Sequence, residues 1–455
     1  MGKPTQKEKA RYQLLRQKLL DTYRGHFDDI LSKPPTAAVD QTQHRWETLY
    51  PALLKPTRHA VLLNTFHGEP YFQHPGEAPT NPRLGGSLDE RLRNFDLKSS
   101  GEVSPLELLE DAGRWLPPSC PLQLYHLPQQ QTDSSKEYLL PPPLKNLHGL
   151  KNYYCLDFAS VFPVLALDVH PGHTILDMTA APGGKTLSLL NHLRSSLVPT
   201  TDTTASASTI KTRLHVNEID FQRRKRLRVV LDEYVPANLL PSTSSTNSIV
   251  QITGKDATEA SSFRAETYDR ILLDAPCSSE RHVLHQLHKQ ESASNLHKDL
   301  LNWSPSSSEK IAKSLQLKML TNAVQALKFG GTVVYSTCSL SPHENDDVIE
   351  NVVRLVDKQN RKRTKDALRR READRESGDD SNIEKDGAED VPHPPTKPAQ
   401  TPLPELWTLE IDHASWSIGE PTKHGWMILP DQQDNAGWGP IYFCKITKKR
   451  KKGSR

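Results

Sequence analysis

The stretch Thr174-Ile175-Leu176-Asp177-Met178-Thr179-Ala180-Ala181-Pro182-Gly183-Gly184-Lys185-Thr186 begins as an apolar β-type run and ends on a proline and two glycines ahead of a helical pattern. A strand, a tight turn and a helix in that order form the first unit of an open α/β sheet, whose ligands bind beyond the carboxyl ends of the strands. Asp177 ends the strand and Pro182 shapes the turn. Gly183-Gly184 let backbone N–H groups approach a ligand closely at the helix start.

Working outward, strands and helices continue to alternate. Strands are predicted over Thr174–Met178, Arg213–Asn217, Ile249–Ile252, Asp269–Leu273 and Thr332–Ser336, and helices over Thr186–Leu193, Phe221–Tyr234, Ile311–Leu327 and Glu344–Val356. Gly425–Leu429 and Pro440–Ile446 read as a hairpin that closes the sheet edge. The fold class is α/β, a doubly wound, Rossmann-like sheet with helices on both faces and a smaller N-terminal region.

The catalytic core is expected over 151–357, with the C-terminal end of its sheet at 405–447. Residues 1–33, with Leu14, Leu15, Leu19 and Leu20 among basic groups, predict an amphipathic helix to about Arg24, readable as part of the fold or as a targeting segment. Residues 34–150 form an N-terminal region with proline-rich turns such as Pro141-Pro142-Pro143. Pro199–Thr209 and Leu240–Ser248 are Ser/Thr-rich surface insertions, and 358–404 is a charged, then proline-rich insert expected to be disordered. Residues 448–455 are a basic tail.

With 455 residues, 35 prolines and 35% hydrophobic residues, much of the chain lies outside a packed core. The five cysteines show no C-x-x-C spacing and no signal peptide is visible, so neither a disulfide framework nor a metal site is expected. No run of 18 apolar residues is present, which argues against a membrane-spanning helix. Net charge is only +3, yet basic residues cluster at Lys3, Lys7, Lys9, Arg11, Arg16 and Lys18, at Arg223–Arg228, and at Lys448–Lys452. Each cluster alone can be a solvated face or tail, and their coincidence with the chemistry below suits a polyanionic substrate.

The glycine turn suits the aminocarboxylate end of S-adenosylmethionine. A phosphate-binding loop, and with it an ATPase, requires glycine where this chain has Thr179. Glu218, after the second strand, is placed to accept from ribose hydroxyls; the insertion at 199–209 accounts for most of the excess spacing. Asp256 follows the third strand and can reach the adenine side.

Two further strings, Asp274-Ala275-Pro276-Cys277-Ser278 and Tyr335-Ser336-Thr337-Cys338-Ser339, each deliver a cysteine to a strand end. Carbon 5 of cytosine is too poor a nucleophile to take a methyl group unaided, but a thiolate added at carbon 6 makes it enamine-like, and a second acid/base group helps release the thiol. Asp274 can hydrogen-bond the cytosine edge in a water-poor pocket, while Lys185 and Arg281 can lower a thiol pKa or bind phosphate. Which sulfur attacks is open on these grounds alone.

Ala180-Ala181-Pro182-Gly183-Gly184-Lys185-Thr186, Asp274-Ala275-Pro276-Cys277-Ser278 and Ser336-Thr337-Cys338-Ser339 resemble, in order, the motifs of the Sun/RsmB-type RNA cytosine-5 methyltransferases. The likeness covers about 150–357 and 420–447. It is closest to the mitochondrial ribosomal-RNA branch in Leu165-Ala166-Leu167, Ser279-Glu280-Arg281-His282 and Gly439-Pro440-Ile441-Tyr442-Phe443-Cys444-Lys445. The resemblance implies an S-adenosylmethionine-dependent methyltransferase sheet, attack by Cys338, release assisted by Cys277, and donor contacts from Gly183, Gly184, Lys185, Glu218, Arg223, Asp256 and Asp274. It also implies 5-methylcytosine formation in structured RNA, a mitochondrial location, and a helical-repeat targeting partner. Thr179 where cysteine is common, Glu218 where aspartate is common, and Ala257 where the closest branch has glycine are departures. A transfer-RNA enzyme of the same family is the sister reading; a non-catalytic RNA-binding assembly factor is the rival from another class. The Lys448–Lys452 run leaves a nuclear or cytosolic location open.

Overall fold

The computed structural model describes residues 5–30, 45–67, 110–126, 140, 142–197, 212–241, 248–290, 304, 306–379, 406–432 and 437–451. The first Ser/Thr-rich insertion, residues 242–247 of the second, and 380–404 lie outside them.

Helix α1 (Gln6–Ile30) packs on α2 (Arg45–Leu54). The buried stripe of α1 is Tyr12, Leu19, Tyr23 and Phe27, and Leu14 is 57% exposed. Of the predicted leucine stripe, Leu19 is buried and Leu15 and Leu20 pack against the same cluster; aromatic residues extend the stripe, and the helix runs six residues past Arg24. Tyr23, Phe27 and Trp46 stack at ring separations of 6.0–6.4 Å. The stripe belongs to the same hydrophobic cluster as the central sheet.

A small antiparallel sheet follows, in the order β2–β3–β1–β4, from β1 (Ala60–Leu63), β2 (Glu110–Asp111), β3 (Leu124–His126) and β4 (Tyr153–Leu156). Its fourth strand comes from beyond the expected boundary at 150. Tyr153 and Leu156 face apolar partners on β1, so pairing there overrides the sequence division.

After α3 (Phe162–Leu167) the expected alternation appears as β5 (Thr174–Asp177), α4 (Gly184–Leu197), β6 (Arg213–Asn217), α5 (Phe221–Tyr234), β7 (Val250–Thr253), β8 (Tyr268–Asp274) and α6 (Glu280–Gln290). Then α7 (Ser307–Ile311) passes through a π turn (Ala312–Gln316) into α8 (Leu317–Ala326), followed by β9 (Leu327–Thr337) and α9 (Asp346–Asp379). Residues 358–379 of the expected disordered insert are therefore helical. Ala367 is buried and the Asn360 amide donates to the Trp407 carbonyl (2.6 Å), so contact with the C-terminal strands holds the continuation.

Strands β10 (Trp407–Asp412), β11 (Glu420–Pro421), β12 (Trp426–Ile428) and β13 (Ile441–Arg450) complete the molecule. The sheet runs β11–β12–β13–β9–β8–β5–β6–β7, with β10 beside β13. Strands β9, β8, β5, β6 and β7 are mutually parallel, and β13 is antiparallel to β9. The sheet is therefore mixed, and the expected hairpin does close its edge. Strand β13 also absorbs Lys448–Arg450 of the expected tail. Lys448 is buried, donates to the Leu327 carbonyl (2.9 Å) and stands over the rings of Phe329 and Trp407.

Register positions the chemistry. Asp177 pairs with Leu272, and Asp274 pairs with Ser336. The carboxyl ends of β5, β8 and β9 thus share one edge, and the two cysteines project just beyond it. Among the described residues no helix is long and apolar enough to cross a membrane.

Candidate active site

The turn after β5 is fixed by its neighbours. Met178 N donates to the Leu272 carbonyl (2.9 Å), Ala180 N to the Asn217 carbonyl (2.9 Å), and Thr179 Oγ1 to the Asp274 carbonyl (2.8 Å). Gly183 has φ +123°, and a Cβ there would meet Val230 Cγ1 at 3.0 Å; one on Gly184 would meet Tyr154 Cε1 at 3.1 Å. The positive φ at Gly183 favours glycine, and a side chain at either position would crowd its neighbour. Burial raises the Asp177 pKa to about 7 against the hydrogen bond from Thr186 Oγ1 (2.6 Å).

Asn217, at the end of β6, is a hub that the sequence reading missed. Its Nδ2 donates to the Met178 and Lys255 carbonyls, and its Oδ1 accepts from Thr253 Oγ1 and Lys255 N. Next to it, Glu218 is 2% exposed; Oε1 accepts from Asp220 N, whereas buried Oε2 accepts no hydrogen bond and lies 3.4 Å from Arg223 Nη1. Arg223 Nη2 donates to the Ala181 carbonyl (2.9 Å), tying Glu218 to the glycine turn. Asp256 is held by Thr258 N and Oγ1 (2.8 and 2.7 Å), which lower its pKa. A sugar hydroxyl offered to the Glu218 oxygen would satisfy it, so these residues fit the adenosine half of S-adenosylmethionine.

Two cavities adjoin at the turn. One, of 230 Å³, is lined by Tyr154, Cys155, Pro182 and Gly184; the other, of 320 Å³, by Cys277, Cys338, Ser279, Arg223 and Pro440. Asp157, Ser160, Thr179, Ala181, Lys185 and Asp274 line both. Glu218 and Asp256 stand outside these linings. Asp157 and Ser160 carried no signal in the sequence, because they precede the first parallel strand and only the tertiary fold brings them to its carboxyl edge.

Cys277 Sγ and Cys338 Sγ are 3.1 Å apart, and Ser279 Oγ lies 3.2 Å from Cys338 Sγ. The hydrogen bond between the thiols pushes Cys277 well above the ordinary thiol range, with burial adding to the shift. The same bond, with help from Ser279, lowers Cys338 against the effect of burial. One thiol is thus set to ionise while the other keeps its proton.

Asp274 accepts on both oxygens, from Lys185 Nζ (2.7 Å) on Oδ2 and from Ser336 Oγ (2.8 Å) on Oδ1. Its side chain is about one-third exposed, so the expected water-poor pocket is replaced by an ion pair at the cavity wall. Burial works to lower the Lys185 pKa, but attraction to Asp274 and Cys338 outweighs it and keeps the ammonium charged. Arg281 does not serve the thiols. Its guanidinium is buried and donates to the Gly439 and Lys55 carbonyls, tying α6 to the C-terminal hairpin and the N-terminal region.

Behind the thiols lies a second missed group, Glu280 and Glu344, 1% and 0% exposed. No cation pairs with either among the described residues. Ser278 Oγ touches both carboxylates, and Ser339 Oγ lies 3.1 and 3.2 Å from them. Tyr23 Oη bonds Glu280, Leu340 N donates to Glu280 (3.0 Å), and Ser278 N and Gln316 Nε2 donate to Glu344 (3.0 and 2.8 Å). Burial and the Glu280 charge raise the Glu344 pKa. Nothing in the spacing of these glutamates marks them as partners. The described residues hold no cluster of three or more His, Cys, Asp or Glu suited to a metal.

Comparison with known proteins agrees with this geometry. The family described as 16S rRNA methyltransferase RsmB/F matches residues 164–381. A bovine 5-cytosine rRNA methyltransferase NSUN4 is 35% identical over 48% of this chain and 49% of its own length, so this chain spans about half of that relative. The mouse NSUN4 is 30% identical over 68% of this chain and 70% of its own. A mouse mitochondrial tRNA (cytosine(34)-C(5))-methyltransferase is 33% identical over 47% of this chain and 52% of its own. The crystal structure of PH0851 shares the fold, with TM-score 0.52 and 16% identity over 98% of this chain and 69% of that one. The glycine turn and both cysteine strings fall inside the matched residues, and this chain belongs to the RsmB/F methyltransferase family.

Proposed function

We propose that the protein transfers a methyl group from S-adenosylmethionine to carbon 5 of a cytosine in structured RNA, with mitochondrial ribosomal RNA as the substrate. The observation that carries the reading is the thiol pair at 3.1 Å, with Cys338 favoured as thiolate and Cys277 as thiol, in a cavity that shares Lys185 and Asp274 with the glycine turn. The Cys338 thiolate adds to carbon 6 of a base turned out of its stack, and carbon 5 becomes the nucleophile. S-adenosylmethionine, when bound, supplies the electrophilic methyl group. Lys185 holds Asp274 in place at the cavity wall, where its carboxylate meets the cytosine amino edge. Solvent takes the carbon 5 proton, and the electron pair it leaves re-forms the ring double bond and expels the Cys338 sulfur from carbon 6 as a thiolate. Cys277, 3.1 Å from the departing sulfur, keeps its proton and donates a hydrogen bond to it, which assists release.

Ribosomal RNA is favoured by the bovine and mouse relatives, whose names specify that substrate. The mitochondrial tRNA relative supports the same location and keeps transfer RNA as the second substrate reading. Bisulfite sequencing of total RNA from cells with and without the chain tests both. A cytosine that loses its modification in ribosomal RNA supports the first reading, and one confined to transfer RNA supports the second. No change in either removes the methyltransferase proposal.

A further inference from the structure

Helix α9 carries a feature that methyl transfer leaves unused. Its first turns are anchored on the sheet by buried Val348, Ile349, Val352 and Val356, and Asp346 at its start accepts from Tyr442 Oη (2.8 Å) and Thr422 Oγ1 (2.9 Å). Beyond them, the sequence from Asp357 to Arg371 holds eight Lys or Arg against two Asp. Like charges at helical i,i+4 spacing repel one another, so such a run is unfavourable unless an anion answers it. Arg361, Lys365 and Arg369 follow that spacing, stand exposed, and line one 710 Å³ groove together with Lys451 at the end of β13. Asp357 and Glu372 also line it. None of Arg361, Lys362, Arg363, Lys365, Arg369 and Arg370 has an ion-pair partner among the described residues.

We propose that this ridge is a second RNA contact, gripping the phosphate backbone of the molecule whose cytosine enters the thiol cavity; it rests on RNA being the substrate. Distance along the helix supports the pairing of the two surfaces. At 1.5 Å per residue, Arg361 and Arg369 lie about 22 and 35 Å from Asp346, which begins the helix at the catalytic edge. Lys451 follows the end of β13 that pairs with the amino-terminal half of β9, so an RNA held at both surfaces runs the length of the helix across the sheet. Guanidinium groups match phosphate oxygens bidentately, and five of the eight cations are arginines. A membrane surface would ask for an apolar face, and Leu368 is the one exposed large hydrophobic residue of the described helix.

The test compares the full chain with Arg361→Gln/Lys365→Gln/Arg369→Gln in titrations of a fluorescein-labelled RNA hairpin across potassium chloride concentrations. Calorimetric S-adenosylmethionine binding is followed in parallel. With three phosphate-binding cations neutralised, the slope of log affinity against log salt flattens by about 2 to 3, and RNA affinity near physiological salt falls by about tenfold or more. S-adenosylmethionine affinity stays the same, and Arg361→Lys/Arg369→Lys keeps the steep slope. Unchanged slope and affinity in the triple variant overturn the proposal. So does a lysine variant that loses the slope, which would assign the arginines to folding. A triple variant that loses binding to anionic vesicles while keeping RNA affinity assigns the ridge to lipid and also overturns it. A wild-type chain that binds RNA through the ridge yet transfers no methyl group leaves the ridge standing and removes the methyltransferase reading instead.

Discussion

On the β5, β6 and β7 side of the sheet, the loops suited to the methyl donor are held by backbone hydrogen bonds, one asparagine hub and close packing at two glycines. On the β8 and β9 side, the loops that carry the thiols rest on a buried polar cluster built from α1, the π turn and both cysteine strings. Among the described residues, the first arrangement leaves Glu218 Oε2 without a hydrogen bond, 3.4 Å from Arg223, where a ligand can satisfy it. The second sets two sulfurs and two carboxylates at short range, so the protonation of each depends on the others. Binding a cofactor rewards rigid complementarity, whereas covalent catalysis needs neighbouring groups held in different protonation states.

Substitution at the sulfurs gives the largest effects. Cys338→Ala should lower methylation at least about 10⁴-fold in a single-turnover assay with radiolabelled donor. Methylation near the wild-type rate would end the nucleophile assignment. Cys277→Ala should lower turnover about 100-fold and leave a protein–RNA adduct on a denaturing gel. It should also shift the pH midpoint of Cys338 alkylation, followed by mass spectrometry at that residue. Thiolate forms above the pKa and Cys277 lowers it, so the midpoint must rise when Cys277 is removed. A midpoint that stays or falls breaks the claim that the two thiols are coupled.

Each half also holds a carboxyl group with a raised pKa, Asp177 at about 7 on the donor side and Glu344 on the thiol side. The folded protein keeps protons there that the unfolded chain releases. Stability from these groups is fully present below the ordinary carboxylate range and is lost as pH rises through the folded values. Melting temperature should fall by several degrees between pH 5 and 8, and Asp177→Asn and Glu344→Gln should each flatten the decline. Only Glu344→Gln should also disturb the Cys338 alkylation profile; the same disturbance from Asp177→Asn would erase the division between the halves. The smallest effect is at Glu218, where Gln should weaken S-adenosylmethionine by about tenfold in calorimetry and leave Cys338 alkylation unchanged. Equal affinity for wild type and Glu218→Gln would detach that carboxylate from the donor site.

The donor side was largely legible because its signals are local. Pro182, Gly183 and Gly184 announce a turn, and the helix expected over Phe221–Tyr234 has those bounds in the structure, where Asp220 caps it. The thiol side was half legible. Strand ends marked Cys277 and Cys338, but Glu280, Glu344, Gln316 and Tyr23 are separated by up to 321 residues and meet only through packing. Arg281 shows the opposite error: a cation four residues after a cysteine invites a catalytic reading, while its contacts are two carbonyl oxygens on distant segments.

The sequence by itself determined the five parallel strands, the glycine turn and the placing of the two cysteines at strand ends, because residue periodicity and turn chemistry act over a few neighbours. Tertiary structure decided that the two sulfurs meet at 3.1 Å, where Asp157 stands, how β4 left the core for the small sheet, and that the charged insert continues as a helix. Those outcomes depend on desolvation and on partners far along the chain, and local propensity contains neither.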